Sequence, residues 1–329
     1  MSCSPRSRRL AGAGTRLISV LGAAAVMIAV GVSPASAVYA GNNGRVAYTL
    51  YSGTSSDIYS VAPNGTGTHR LTRDGHSSHP RWNYGGGLIA FQRGSTTSAG
   101  VFVGDLFVMR ADGSGVRRVT RGADAQQPAW SPDADELLFV KPVDGHTDLF
   151  RVPVSGGAQH RVTWAAASGC DADHPSWRGS LIVYHRFCPG TSDQIRLLDL
   201  RSKANRAVLT ANPANNESVS WPDFTRDLRI MFLACLQSDQ VCFNTQNVHV
   251  VNRDGSGLTA LTDSTGCCDE PHFLTPVPSP DGTTYLVTSG GGREGEPPSW
   301  QLGGPGDPPS PLLHSGSDQA MEADWQRTS

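Results

Sequence analysis

Five residues of chemical interest stand at one repeated spacing in this 329-residue chain. His79, Gln127, His174, Ser218 and Glu322 each lie three residues before a tryptophan, at Trp82, Trp130, Trp177, Trp221 and Trp325. Imidazole nitrogens with amide and carboxylate oxygens are the donor set of a Zn, Mn or Fe site. If these positions converge, a divalent metal would find its firmest ligands in His79 and His174. A further equivalent is ambiguous: alignment on Phe273 selects Glu270, alignment on Pro278 selects Thr275, and His272 is close under either. Without a metal the same side chains form a wet polar rim, solvated or bonded to neighbouring loops. That is the commoner fate of such groups, so no cofactor is expected and a divalent metal is the alternative. No Gly-x-Ser-x-Gly elbow, His-Glu-x-x-His pair or Walker A loop occurs.

The elements that must position these residues follow from a repeat. Its phrase is an acid or amide with two apolar partners, a Gly-containing turn, then a basic residue before Leu/Val-Thr. The clearest copies are Asp57-Ile58-Tyr59 to Thr72, Asp105-Leu106-Phe107 to Thr120 and Asp148-Leu149-Phe150 to Thr163. Weaker copies start at Gln194 and Asn247, and a degenerate one at Ser299. Successive Thr positions 72, 120, 163, 210 and 262 are 48, 43, 47 and 52 residues apart. Each unit reads as four short strands. The first carries the tryptophan. A tight turn such as Ser131-Pro132-Asp133 follows, then an apolar strand such as Leu137-Leu138-Phe139-Val140. The third is the Asp-Leu-Phe strand, and an Asn-Gly or Asp-Gly hairpin leads to the fourth.

Four-stranded units near this period, with no helical stretch, predict an all-β, six-bladed β-propeller. Arg45–Thr49 matches a second strand and Glu322–Trp325 a first, so the C-terminal strand is expected to complete the N-terminal blade. The loops before the first strands then lie on one face beside the axis, which places His79, Gln127, His174, Ser218, Glu322 and His272 at the rim of the pore. The repeated Asp57, Asp105 and Asp148 are read as structural, bonding blade to blade. The tryptophans are read as core wedges, and Trp164 and Trp300, outside the register, as candidates for exposed ligand contact. His69, His160 and His185 are read as structural.

The unit resembles the PD40 or TolB-like repeat, roughly Pro-x-Trp-Ser-Pro-Asp-Gly, an apolar strand, Asp-Ile-Tyr, Asp-Gly and Leu-Thr. Its nearest match here is Pro128-Ala129-Trp130-Ser131-Pro132-Asp133, and the resemblance spans about residues 40–329. The Tol-system protein itself carries an α/β domain before its propeller. This chain has no room for one, so a Tol–Pal role is not implied. A histidine-bearing pore rim also resembles the metal site of oligogalacturonate lyase, a larger propeller of related repeat type, whose metal helps neutralise the substrate carboxylate.

Residues 1–37 read as a cleaved signal peptide: Arg6, Arg8, Arg9 and Arg16, an apolar run from Leu17 to Val32, and Ala35-Ser36-Ala37. Residues 38–329 are then the propeller, with 23 basic and 29 acidic residues, and no transmembrane segment is expected after cleavage. That balance offers no electrostatic grip on nucleic acid. Six cysteines remain, an even number in an exported chain, so disulfides are expected among Cys170, Cys188, Cys235, Cys242, Cys267 and Cys268. Position pairs Cys170 with Cys188 and Cys235 with Cys242, leaving Cys267 and Cys268 to bridge each other or an upstream cysteine. The expected function is a secreted or cell-envelope, monomeric, non-enzymatic scaffold presenting one face to a protein, a peptide or a cell-wall glycan. The alternative is a metal-assisted polysaccharide lyase or hydrolase using the rim histidines.

Overall fold

Strand pairing is antiparallel throughout and groups the strands into four-stranded sheets, the blades of an all-β propeller. The computed structural model describes residues 41–98, 100–236, 246–262, 272–290, 299–304, 310–313 and 319–328. All of these lie in one compact unit, Ala37–Ser329. Six such sheets are formed by the described residues. Their innermost strands are Gln319–Thr328, Ser77–Trp82, Gln126–Trp130, Asp171–Arg178, Ser218–Phe224 and His272–Pro278, which define sheets one to six. Each innermost strand touches the next, and the sixth touches the first. In sheet one the C-terminal strand pairs along Asn42–Ser52, with Val46 opposite Trp325 and Leu50 opposite Ala320.

Each strand's composition follows from its place. The second strands are covered by sheets on both sides and read as continuous apolar runs, as in Ile89-Ala90-Phe91 and Leu137-Leu138-Phe139. Trp82, Trp130, Trp177 and Trp325 are buried between neighbouring sheets, so four of the tryptophans are the wedges expected of them. The outermost strands of sheets one to three are two residues each, His69–Arg70, Arg117–Arg118 and His160–Arg161. Short, charged outer strands offer little edge for unwanted pairing.

The repeated aspartates bond to the connector leading to the next sheet, which corrects the expectation of a direct blade-to-blade bond. The Asp57 carboxylate accepts from Thr72 Oγ1 (2.7 Å), Arg70 (2.6 Å) and the N–H groups of Asp74 and Gly75 (3.2 and 3.4 Å). Asp105 repeats this with Thr120, Arg118, Gly122 and Ala123, and Asp148 with Thr163, Arg161, Ala165 and Ala166. In each case the threonine hydroxyl accepts from the N–H after the aspartate, as Thr72 does from Ile58 at 2.9 Å. Where Asn247 replaces the acid, the threonine bond persists, from Thr262 at 2.9 Å.

Burial pushes the Asp57 and Asp105 carboxyls up, but their hydroxyl, guanidinium and backbone donors outweigh it and hold both below the usual range. A carboxyl depressed in the folded state stabilises the fold above its unfolded value, about 3.9. That stabilisation is lost as pH falls from there through the lower folded value. The urea midpoint is therefore expected to drop steeply below about pH 4. In Asp57→Asn/Asp105→Asn the drop should be shallower; an unchanged profile would locate the acid sensitivity elsewhere.

Candidate pore-rim site

One residue of every innermost strand has left-handed backbone. These are His79 (φ 52°), Gln127 (49°), His174 (48°), Trp221 (51°), Thr275 (48°) and Glu322 (55°). Each sits at a break in the pairing with the second strand, such as that between Ser78 and Arg81. The bulge turns the side chain out of the sheet alternation and towards the axis. Proline follows in the first five, at 80, 128, 175, 222 and 276. A proline suits a bulge because it has no N–H to leave unpaired there.

The ring corrects one expected member. Trp221 itself occupies the rim position of sheet five, and Ser218, three residues earlier, pairs with Cys235 near the strand's start. Phe224 takes the wedge place, buried and paired with Ile230. Trp221-Pro222 was the signal: proline, not tryptophan, marks the register. The same rule selects Thr275-Pro276 over Glu270, which lies outside the described residues. His272 begins its strand opposite Gly290, and its side chain and that of Trp300 lie outside what is described. Trp164 is 63% exposed, as expected of a residue outside the register.

Ring side chains bond to one another. Glu322 accepts from the His79 N–H (3.0 Å), Thr49 Oγ1 (2.8 Å) and Tyr51 Oη (2.9 Å), and lies 3.0 Å from His79 Nδ1. Burial raises the Glu322 carboxyl, but His79, Thr49 and Tyr51 outweigh this and hold it below the usual range. Gln127 accepts from the His174 N–H at 2.8 Å, and its amide nitrogen lies 3.3 Å from His174 Nε2. The His174 ring leans on the Trp221 indole, centroids 3.8 Å apart.

The histidines group differently from the expected pairing of His79 with His174. The ligand atoms of Asp173, His174 and His185 lie within 4.8 Å of one another. Nδ1 of each histidine is 2.8 Å from Asp173 Oδ1. His185 has converging partners that the sequence did not show, because it stands directly across from Asp173 in the strand pairing. Two imidazoles on one carboxylate drive Asp173 far below its usual range despite burial. The Cys170–Cys188 disulfide, as expected, ties the same two strands a few residues away, Cα atoms 4.2 Å apart. Cys235 is also disulfide-bonded, whereas Cys242, Cys267 and Cys268 lie outside the described residues.

Beneath the rim is a second tier. Arg81 Nη1 lies 3.6 Å from Asp223 and 3.8 Å from Asp324. Burial, reinforced by Asp223, pushes the Asp324 carboxyl up to about 6 against the pull of Arg81 and Arg327. The cavity at the rim, lined by His79, His174, Trp221, Thr275 and Glu322 among others, measures about 20 Å³. Such a volume has room for a water molecule but not for a sugar ring.

These features define a propeller with four-stranded blades and a polar, disulfide-braced rim. The chain belongs to the PD40 family, the TolB beta propeller domain, whose model matches residues 22–242. No curated protein matches the sequence. Among solved structures it is similar to TolB from Acinetobacter baumannii, at 15% identity and a TM-score of 0.65 over 86% of this chain and 66% of that one. It therefore spans just under two thirds of that TolB. It is similar to a chain of a nidogen/laminin complex, at 7% identity and 0.63, over 87% and 99%. Oligogalacturonate lyase from Vibrio parahaemolyticus is similar at 15% identity and 0.53, over 74% and 71%. At such identities the likeness is one of fold, which hosts binding proteins and enzymes alike.

Proposed function

We propose that the chain is an exported binding scaffold: residues 1–37 are removed, the six sheets act as six blades of one ring, and the rim face receives a protein, a peptide or a cell-wall glycan. The observation that carries this reading is the rim itself. Glu322 bonds to His79 and Gln127 to His174, and the cavity that His79, His174 and Glu322 help to line is about the size of a water. A partner would therefore lie across the rim, and Trp221 and His174 supply the aromatic surface for it. The disulfide Cys170–Cys188 supports an oxidising compartment. The nidogen/laminin likeness supports propellers of this shape as partners in protein complexes.

The test is affinity capture from envelope extract and soluble peptidoglycan fragments, with wild type against Trp221→Ala/His174→Ala. A specific ligand retained by wild type and lost by the variant is the expected result. Equal retention by both would remove the rim from the reading.

A second reading has its own observation. The gathering of His174 with Asp173 and His185, on a fold shared with oligogalacturonate lyase, favours a metal-assisted lyase or hydrolase acting on an anionic polysaccharide at the rim. Unsaturated uronate released from polygalacturonate by metal-supplemented wild type, and absent with His174→Ala, would support it over the scaffold.

A further inference from the structure

We propose that Asp173, His174 and His185 form a first-row transition-metal site, zinc being the ion to try first, on the disulfide-bearing side of sheet four. The inference needs neither reading of function, because it concerns binding alone. Two imidazoles and one carboxylate select Zn, Mn, Fe or Ni over the hard cations Ca and Mg, which take all-oxygen shells. Spacing suits this. Donors around one tetrahedral ion with bonds near 2.1 Å stand about 3.4 Å apart. Here both Nδ1–Oδ1 distances are 2.8 Å and all three donor atoms lie within 4.8 Å. Each Nδ1–Oδ1 gap would have to open by about 0.6 Å and the gap between the two nitrogens to close towards the same separation, changes that side-chain rotation can supply.

A second observation comes from the far side of His185. The residue is 8% exposed, and its Nε2 atom is buried without a hydrogen-bond partner. A buried polar atom left so is costly while Nδ1 serves as the donor to Asp173. If Nδ1 instead ligates a metal, the ring proton moves to Nε2 and faces Asp193 Oδ1, now 4.0 Å away. A ligating histidine handing its other N–H to a carboxylate is the usual outer-shell arrangement.

The site is held before any ion arrives. Asp173 and His185 are direct cross-strand partners, and the Cys170–Cys188 bridge clamps those strands just beyond. His146 and Thr147 approach the neighbouring Asp171, with Thr147 N–H donating at 2.8 Å. Little ordering is left for the metal to impose.

The experiment is equilibrium dialysis of the whole exported chain, purified without chelator, against Zn(II), with Co(II) as a coloured substitute and Ca(II) as the hard-ion control. One Zn(II) per chain is expected, with visible Co(II) bands of nitrogen and oxygen ligation and no uptake of Ca(II). Stoichiometric binding should be lost in His185→Ala and in Asp173→Ala. Asp193→Asn should weaken it about 10–100-fold, and His79→Ala should leave it unchanged. Should His185→Ala fail to form the Cys170–Cys188 bridge or to melt cooperatively, His174→Ala at the rim serves instead. Wild type that takes up no Zn(II), or uptake indifferent to these substitutions, overturns the site. Loss of uptake in His79→Ala but not in His185→Ala moves the metal elsewhere and overturns it equally.

Discussion

Deleting Gln319–Thr328 is expected to abolish cooperative folding. These ten residues are the innermost strand of sheet one, paired from Asn42 opposite Thr328 to Tyr51 opposite Gln319. Ala320, Ala323 and Trp325 are buried with Val46, Tyr48, Val61, Val277 and Leu286 in one cluster, so the strand joins sheet six to sheet one. Glu322 and Asp324 also leave with it. Glu322 holds the His79 N–H at 3.0 Å, and Asp324 holds the Trp82 N–H at 2.6 Å. Truncating Trp325 to alanine alone should cost about 3–5 kcal/mol, a large share of the roughly 5–15 kcal/mol that holds a typical domain. Loss of the whole strand exceeds that reserve and opens the Asn42–Ser52 edge to foreign pairing. Circular dichroism melting and limited proteolysis read the outcome. A truncated chain that melts cooperatively within a few degrees of the full one would show that the ring does not depend on this closure.

Asp148→Ala should be the most damaging single change in the repeated clasp. Its side chain is fully buried and accepts from Thr163 Oγ1 at 2.6 Å and the N–H groups of Ala165 and Ala166 at 2.7 and 3.2 Å, besides Arg161. Alanine leaves the Arg161 guanidinium and the connector amides without their acceptor. Breaking such a pair costs about 3–5 kcal/mol, which lowers the melting temperature of a chain this size by on the order of 10 °C. Asp148→Asn keeps one acceptor oxygen and should lose less. Asp112→Ala removes an exposed hairpin carboxylate bonded to the Ser114 N–H at 2.9 Å, and should change little. Equal melting of Asp148→Ala and Asp112→Ala would show that the clasp does not stabilise the connector.

The repeating phrase determined the four-stranded unit and the antiparallel order within it. Strand chemistry, turn residues and the Asp-to-Thr interval are local, so they can be read along the chain. Position on the hairpin was likewise enough to pair Cys170 with Cys188. The role of Asp57, Asp105 and Asp148 was legible as structural, although their true partners, the connector amides, depend on how the chain leaves each outermost strand.

Tertiary structure alone decided the rim and the cluster beside it. Phe224 and Trp221 compete for one wedge, and only packing between sheets shows that phenylalanine fills it while the tryptophan faces the axis. His185 looked solitary because its partners lie on another strand, across a pairing interrupted between Asp173 and Ser176. In an unbroken strand Asp173 and His174 would point to opposite faces. The left-handed residue at His174 breaks that alternation, and the two side chains meet 2.8 Å apart beside His185. A spacing rule that assumes regular strands cannot see a contact made by a bulge, and the polar rim of this propeller is built on its bulges.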